Sequence, residues 1–290
     1  FDPEARDNLA VYYGQSPATE VGGLLKLCNN PNVDIVILSF LFTFFTPDGY
    51  PSIDFGPGCT GPNARQQQQA PGLSNCTALA PEITGCQALG KKILVSLGGY
   101  VANTSFSSEA QTQQFSATLW GLFGPDTVEH PDLRPFGPDV VVDGFDIDNE
   151  NHNTTFYNAF ARSLREQYRT DPSKTYYLSA APQCPLPDES IPLGAMLEAD
   201  FVWVQFYNNP ACDLDTDGFQ NSFAAWSRSL TDASARDNPR VYIGTGAWEG
   251  AGKGYVQGSG LATAVGKATA LNVSNMGGMM LWDGSQALQN

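Results

Sequence analysis

The chain has 290 residues, 42% hydrophobic and 16% charged, enough apolar side chain to build a large core and to exclude disorder of the whole. Asp and Glu number 30 against 15 Lys and Arg, a formal net charge of −15, and a field of that sign repels phosphate backbones and anionic lipid, counting against nucleic acid and membrane surfaces as partners. The only two His, His130 and His152, disfavour Ser-His-Asp, Cys-His and His-rich zinc chemistry.

The opening FDPEARDNLA has neither a basic nor an apolar leader segment, so a signal peptide is expected to have been removed or never to have been there. The first apolar run is Leu9–Tyr13. The second, Ile35–Phe40, begins the most apolar stretch of the chain, Ile35 to Phe45. It is too short to cross a bilayer, which takes about 20 residues, and its β-branched and aromatic content reads as a buried strand. A Gly- and Pro-rich segment from Pro47 to Asn75 follows, with a low-complexity run at Gln66 to Gln69. It reads as an excursion between two elements, held by Cys59 and Cys76.

Further runs are Ile93–Leu97, Val140–Ile147, Tyr176–Ala180, Phe201–Phe206, Val241–Gly244 and Met279–Trp282. Several are nearly continuous in Val, Ile, Leu and Phe, as in parallel strands covered on both faces. Helical patterns lie between them. Phe115, Leu119 and Leu122 mark one. Another has Phe156, Tyr157, Phe160, Leu164 and Tyr168 on its apolar face, with Asn153 or Thr154 as cap. Strands alternating with helices along one undivided chain predict a single-domain (β/α)8 TIM barrel over residues 1–290. A doubly wound sheet is the alternative, but no GxGxxG turn follows the first run.

The six cysteines, Cys28, Cys59, Cys76, Cys86, Cys184 and Cys212, contain no CxxC pair. An even count at wide spacing predicts three disulfides and an oxidising compartment. Sequons at Asn75, Asn103, Asn153 and Asn272 agree with a secreted, extracellular glycoprotein.

The strongest chemical signal is Asp143-Gly144-Phe145-Asp146-Ile147-Asp148-Asn149-Glu150. Side chains alternate along a strand, so Asp146, Asp148 and Glu150 are predicted on one face, neighbours about 6.6 Å apart along the chain. Phe145 and Ile147 then face the covering helices. Three acids inside a barrel cannot all ionise cheaply, so at least one should hold a proton at neutral pH and serve as a general acid. Glu150 lies nearest the strand's C-terminal end, where barrel enzymes carry their sites. A metal is the rival reading of three carboxylates. Ligands on one strand fan out along it, however, and neither a metal nor a cofactor is expected.

The octapeptide resembles the D-G-x-D-x-D-x-E signature of family 18 glycoside hydrolases, the chitinases. The likeness covers nearly all the chain and is closest to the plant-type, class III, hevamine-like branch that fungi share; a fungal member is expected. It is carried also by Val11-Tyr12-Tyr13-Gly14-Gln15, by Ser96-Leu97-Gly98-Gly99 and by Ala180-Ala181-Pro182-Gln183-Cys184-Pro185. Val202 to Pro210 and Gly278 to Trp282 complete it, in matching order and spacing.

The resemblance implies that Glu150 protonates the glycosidic oxygen. The substrate's own 2-acetamido carbonyl attacks the anomeric carbon, giving an oxazolinium ion and net retention. Asp148 is implied to orient the acetamido N–H and stabilise that cation, and Asp146, deeper, to share a proton with Asp148. Tyr207 is implied to donate its hydroxyl to the acetamido oxygen, and Trp282 to floor the reacting sugar's subsite. Tyr12, Phe40, Gln205 and Asn208 complete the implied substrate-binding set. The same likeness implies cis peptides at Ser39-Phe40 and Trp282-Asp283, and disulfides Cys28–Cys86, Cys59–Cys76 and Cys184–Cys212.

The chain departs from the family at Asn149, which is usually apolar there and here needs a polar partner in the outer layer. Phe1 to Asn8, Pro125 to Pro138 and the Pro47–Asn75 loop also differ. The expected activity is that of a secreted monomeric endochitinase, extracellular or cell-wall associated, acting on chitin or chito-oligosaccharides. An endo-β-N-acetylglucosaminidase acting on N-glycans, a peptidoglycan hydrolase, and an inactive lectin or glycosidase inhibitor on the same barrel are the alternatives. Such inactive relatives commonly lose the acid or its aspartate neighbour, and both are present here.

Overall fold

The computed structural model describes residues 1–125, 131–232 and 238–290. Its strands are β1 (Asn8–Tyr13), β2 (Ile35–Thr43), β3 (Ser52–Ile53), β4 (Lys92–Gly98), β5 (Gly144–Asp148), β6 (Tyr177–Ala180), β7 (Phe201–Gln205), β8 (Arg240–Gly246) and β9 (Met276–Trp282). They follow the order β1-β9-β8-β7-β6-β5-β4-β2-β3, and β1 also pairs with β2. That pairing closes a barrel of eight parallel strands, with β3 as a short antiparallel addition on β2. The fold is therefore a (β/α)8 TIM barrel, as the alternating pattern predicts.

The strand ends differ from expectation at two places. The run Val140–Ile147 begins pairing as a strand only at Gly144. Val140 and Val142 are buried, but the Val142 amide donates to the Phe123 carbonyl at the end of a helix. Their apolar character therefore reflects packing against that helix and not pairing in the barrel. β9 starts at Met276, ahead of the predicted Met279. Gly277 and Gly278 mask this start: Gly278 has φ +138°, and a Cβ there would stand 2.0 Å from the Asn8 carbonyl oxygen.

The helices are α1 (Gly23–Cys28), α2 (Ala64–Gln69), α3 (Ala80–Ala88), α4 (Glu109–Phe123), α5 (Tyr157–Tyr168), α6 (Leu193–Met196), α7 (Phe219–Asp232), α8 (Ser259–Ala270) and α9 (Gly284–Ala287). In α4, Phe115, Leu119 and Leu122 are buried as their spacing predicts, and the Ser108 hydroxyl caps its start by accepting from the Gln111 amide at 3.2 Å. α5 buries Tyr157, Phe160, Leu164 and Tyr168. Its cap differs from the prediction: Phe156, at φ +66°, holds the N-cap position without a side-chain bond. Asn153 is engaged earlier, accepting from the Thr155 amide in a local turn, so neither it nor Thr154 reaches the helix.

The Pro47–Asn75 excursion contains β3 and α2, and the low-complexity Gln run is α2 itself. Asn63 and Gln66 form a reciprocal capping box at its start. Gln66 is fully buried, its Nε2 donating to the carbonyls of Ser74 and Leu133. The disulfides are Cys28–Cys86, Cys59–Cys76 and Cys184–Cys212. Of the unmatched loop Pro125 to Pro138, residues 126–130, including His130, lie outside the described residues.

Side-chain alternation divides the apolar core into two shells. Outward residues such as Val36, Val95, Phe145 and Ile147 pack under the helices. There Phe44, Phe115 and Phe160 join the rim of β2 to α4 and α5, with Phe44 and Phe115 ring centroids 4.5 Å apart. Inward residues, among them Ala10, Ile37, Leu94, Phe201, Trp203 and Tyr242, fill the barrel itself. Each buried Phe or Leu contributes on the order of 2 kcal/mol, and this filling leaves the C-terminal mouth of the barrel as the place for a cleft. Among the described residues no helix is long and apolar enough to cross a membrane.

Candidate active site

β5 carries Asp146 and Asp148 into the barrel while Phe145 and Ile147 turn to the helix layer. The strand ends at Asp148, so Glu150 stands two residues beyond it, on the mouth loop. The neighbouring chain approaches closely here: Gly99 donates its amide to the Asp148 carbonyl at 2.8 Å. Gly98, at φ +138°, would place a Cβ 2.0 Å from that same oxygen, so only glycine fits beside the acidic strand.

Asp146 is fully buried and receives four donors. Tyr12 Oη at 2.8 Å and Ser96 Oγ at 2.7 Å reach Oδ2; Ser179 Oγ at 2.6 Å and Trp203 Nε1 at 2.8 Å reach Oδ1. Burial pushes its carboxyl up and these four bonds pull it down. A carboxylate has about four lone-pair sites, and all are used. Burial is the larger of the two effects, so the net direction is upward.

Asp148 is the better proton holder. Burial, then the charges of Glu150, Asp146 and Asp188, push its carboxyl well above the ordinary range. It accepts one bond, from Gln205 Nε2 at 3.1 Å. Glu150 is pushed from 4.5 up to about 7, chiefly by burial, with the Gln205 amide opposing the rise. Asp188 adds to that rise and His152 opposes it. Burial raises all three carboxyls, the direction that an acid of the trio holding or sharing a proton requires. Tyr207 is buried, and burial plus the Asp148 charge raises its hydroxyl well above the ordinary value, so it stays a donor.

A cleft of about 580 Å³ opens over these groups. Tyr12, Phe40, Asp148, Glu150, Gln205, Tyr207, Asn208 and Trp282 all line it, and Asp146 lies beneath. Trp282 and Phe40 stack with centroids 5.7 Å apart, and the Tyr12 ring meets Trp282 edge-on at 5.4 Å. The Ser39-Phe40 and Trp282-Asp283 peptides are both cis, as is Leu186-Pro187. Asn208, at φ +62°, accepts from the Lys253 amide at 2.9 Å and joins the β7 loop to the β8 loop.

Asn149 finds the outer-layer partners it needs. Thr104 Oγ1 donates to its Oδ1 at 2.7 Å, and its Nδ2 donates to the Asn153 and Ser190 carbonyls at 3.0 and 2.7 Å. Several groups at the site were not singled out by the sequence. Ser96, Ser179 and Trp203 hold Asp146, and Gln183, Asn209 and Asp188 stand behind the two outer acids. Tyr100, 87% exposed, stands on the cleft rim. Ser96, Gln183, Trp203 and Asn209 lie inside the motif runs, which was the available signal. Of the sequons, Asn103 and Asn272 are exposed and Asn75 and Asn153 half-buried.

The sequence profile of glycosyl hydrolases family 18 matches residues 8–239. Endochitinase 3 of Metarhizium anisopliae is 39% identical, over 97% of this chain and 93% of its own length. Among solved structures, ICChI chitinase from Ipomoea carnea superposes with a TM-score of 0.79 at 28% identity, covering 97% of this chain and 96% of that one. The xylanase and alpha-amylase inhibitor protein XAIP-II from Scadoxus multiflorus also reaches 0.79, at 29% identity, covering 97% and 94%.

Proposed function

The chain belongs to glycosyl hydrolases family 18, and from that premise we propose that it is an endochitinase cutting β-1,4 linkages between N-acetylglucosamine units with retention of configuration. The observation that carries the reading is the placement of Asp148 and Glu150 on one wall of the cleft, with Glu150 raised to about 7. A group at that value holds its proton for a share of the time at neutral pH and releases it readily, as a general acid must.

Both carboxyls approach a bound sugar from the same side, so neither reaches the far face of the anomeric carbon. The 2-acetamido carbonyl does, at the effective concentration of a tethered group. In the first step its oxygen bonds to the anomeric carbon as the glycosidic C–O bond breaks. Glu150 passes its proton to the leaving oxygen. The Tyr207 hydroxyl donates to the acetamido oxygen, and Asp148 accepts the acetamido N–H. Arrival of that donor favours ionised Asp148, which gives up its proton to the site it shares with Asp146, and its charge then opposes that of the oxazolinium ion. In the second step Glu150 takes a proton from water as the water attacks the anomeric carbon and reopens the ring.

Three disulfides and four sequons support an extracellular or wall-associated setting for a glycoprotein. The structural neighbour XAIP-II is named as an inhibitor, but the complete set of Asp146, Asp148, Glu150 and Tyr207 favours a working hydrolase. A time course of products from chitin oligosaccharides, with anomer detection, tests the reading. Internal cuts with the β-anomer formed first are expected. Initial α-anomer, or equal cleavage of oligomers lacking the N-acetyl group, would overturn it.

A further inference from the structure

Behind the two outer carboxyls lies a chain of three side-chain amides. Gln205, the last residue of β7, donates from Nε2 to Asp148 Oδ1 at 3.1 Å and to the Ala181 carbonyl at 2.9 Å. Its Oε1 accepts from Gln183 Nε2 at 3.0 Å. The same Gln183 Nε2 lies 3.5 Å from Glu150 Oε2. Gln183 Oε1 accepts in turn from Asn209 Nδ2 at 2.6 Å, and Asn209 Nδ2 also donates to the Tyr207 carbonyl at 3.1 Å. Two carboxylates brace the backbone: Asp188 Oδ2 accepts from the Gln183 amide at 2.8 Å, and Asp213 Oδ1 from the Asn209 amide at 2.7 Å.

A primary amide fits the same space either way round, with nitrogen and oxygen exchanged. Here the two ends of the chain decide. The Tyr207 and Ala181 carbonyls can only accept, so Asn209 must present N–H to the first and Gln205 must present N–H to the second. Gln183 then has one orientation that leaves no oxygen facing oxygen. In that orientation N–H groups point at both carboxyls. Reversing any member would set two lone pairs against each other inside a part-buried network, where an unmet contact is costly.

We propose that Gln183 and Asn209 are positioning residues, which lock a polarised relay of amides so that N–H donors meet Asp148 and Glu150 when these are carboxylates. The inference rests on the hydrolase reading above. Its chemical sense lies in the step after proton transfer. Glu150 then carries a negative charge in a buried cleft, and the long contact from Gln183 can close into a charge-assisted bond. Neither residue lines the cleft; Asn209 acts on the two carboxyls only through Gln183, and Gln183 acts on Asp148 only through Gln205.

The test is the pH profile of kcat/KM on a chitin pentasaccharide for wild type, Gln183→Met and Asn209→Leu. Both replacements keep side-chain bulk and remove the amide. Other groups facing Glu150 are Asp148, Asp188, Tyr207 and His152, with Glu189 paired to His152 and Asp146 beneath Asp148. All are retained in both variants. Without the relay the carboxylate form of Glu150 loses donors, so its proton is held to higher pH. The alkaline limb is expected to move to higher pH in both variants, further in Gln183→Met. kcat is expected to fall about tenfold with KM changed less than about twofold. The position of the limb does not depend on how much of a variant is folded, so a purely structural defect does not imitate the result. Wild-type cleavage with an unmoved limb in both variants sinks the relay alone. Wild-type protein that leaves the pentasaccharide intact sinks the hydrolase reading and the relay with it.

Discussion

The indole Nε1 of Trp203 donates to Asp146 Oδ1 at 2.8 Å, from a side chain with no exposure to solvent. With Tyr12, Ser96 and Ser179 it gives the Asp146 carboxyl four donors at the bottom of the site. That bonding separates the roles of the two inner acids.

An asparagine at position 146 would offer fewer acceptor positions and add N–H groups of its own. Asp146→Asn is expected to strand donors inside the barrel and lower stability by about 2–4 kcal/mol. Burial and neighbouring charges push Asp148 toward its neutral form, so Asp148→Asn is expected within about 1 kcal/mol of the parent while kcat falls about a hundredfold. Urea unfolding of both variants at neutral pH checks the order; equal stability losses would contradict it.

Glu150→Gln is expected to abolish chitin cleavage and to stabilise the protein. The Glu150 carboxyl rises from 4.5 to about 7 on folding, so the folded chain binds the extra proton in that window. Stability therefore declines as pH rises from about 4.5 to about 7 and stays reduced above it. Glutamine does not titrate. The variant should exceed the parent by up to about 3 kcal/mol above that window and match it near pH 4. Thermal melts across pH measure this, and a gain independent of pH would refute the assigned cause. The same titration is expected to lower wild-type kcat/KM above about pH 7.

Asn149→Leu removes one acceptor and two donors from a buried junction. Thr104, Asn153 and Ser190 each lose a partner there. A loss of about 2–3 kcal/mol is expected, read by chemical denaturation. A change under about 0.5 kcal/mol would mean that the junction is idle.

Tyr100 presents an 87% exposed ring at the cleft rim, and an aromatic face offers a flat apolar surface to a sugar. Tyr100→Ala is expected to raise KM for polymeric chitin about threefold or more with kcat unchanged. Steady-state kinetics on polymer decide it, and an unchanged KM would remove Tyr100 from the binding surface.

The barrel was legible in the chain because each buried strand is a short, almost unbroken apolar run, and that pattern survives without knowledge of neighbours. The acidic strand was legible because alternation alone places Asp146 and Asp148 on one face. Pairing limits were harder to read: Val142 is apolar for the sake of α4, and Gly278 belongs to a strand whose close approach needs a missing side chain. The partners of the acids were also hidden. Ser96, Ser179 and Trp203 sit on three different strands, and only the closed barrel brings them to one carboxylate. Gln183 and Asn209 lay inside quoted motifs, yet an amide shows no role until its two neighbours are known. The α5 cap failed for a local reason, since the Asn153 side chain was already used within its own turn.

The Cys184–Cys212 bridge joins the residue after Gln183 to a residue three places beyond Asn209. The alignment of the two loops is thus written by oxidation and not by packing alone. Catalytic competence becomes a reporter of correct thiol pairing: a chain that reaches a compact barrel with these two sulfurs mismatched would bury its core and still lack an aligned site.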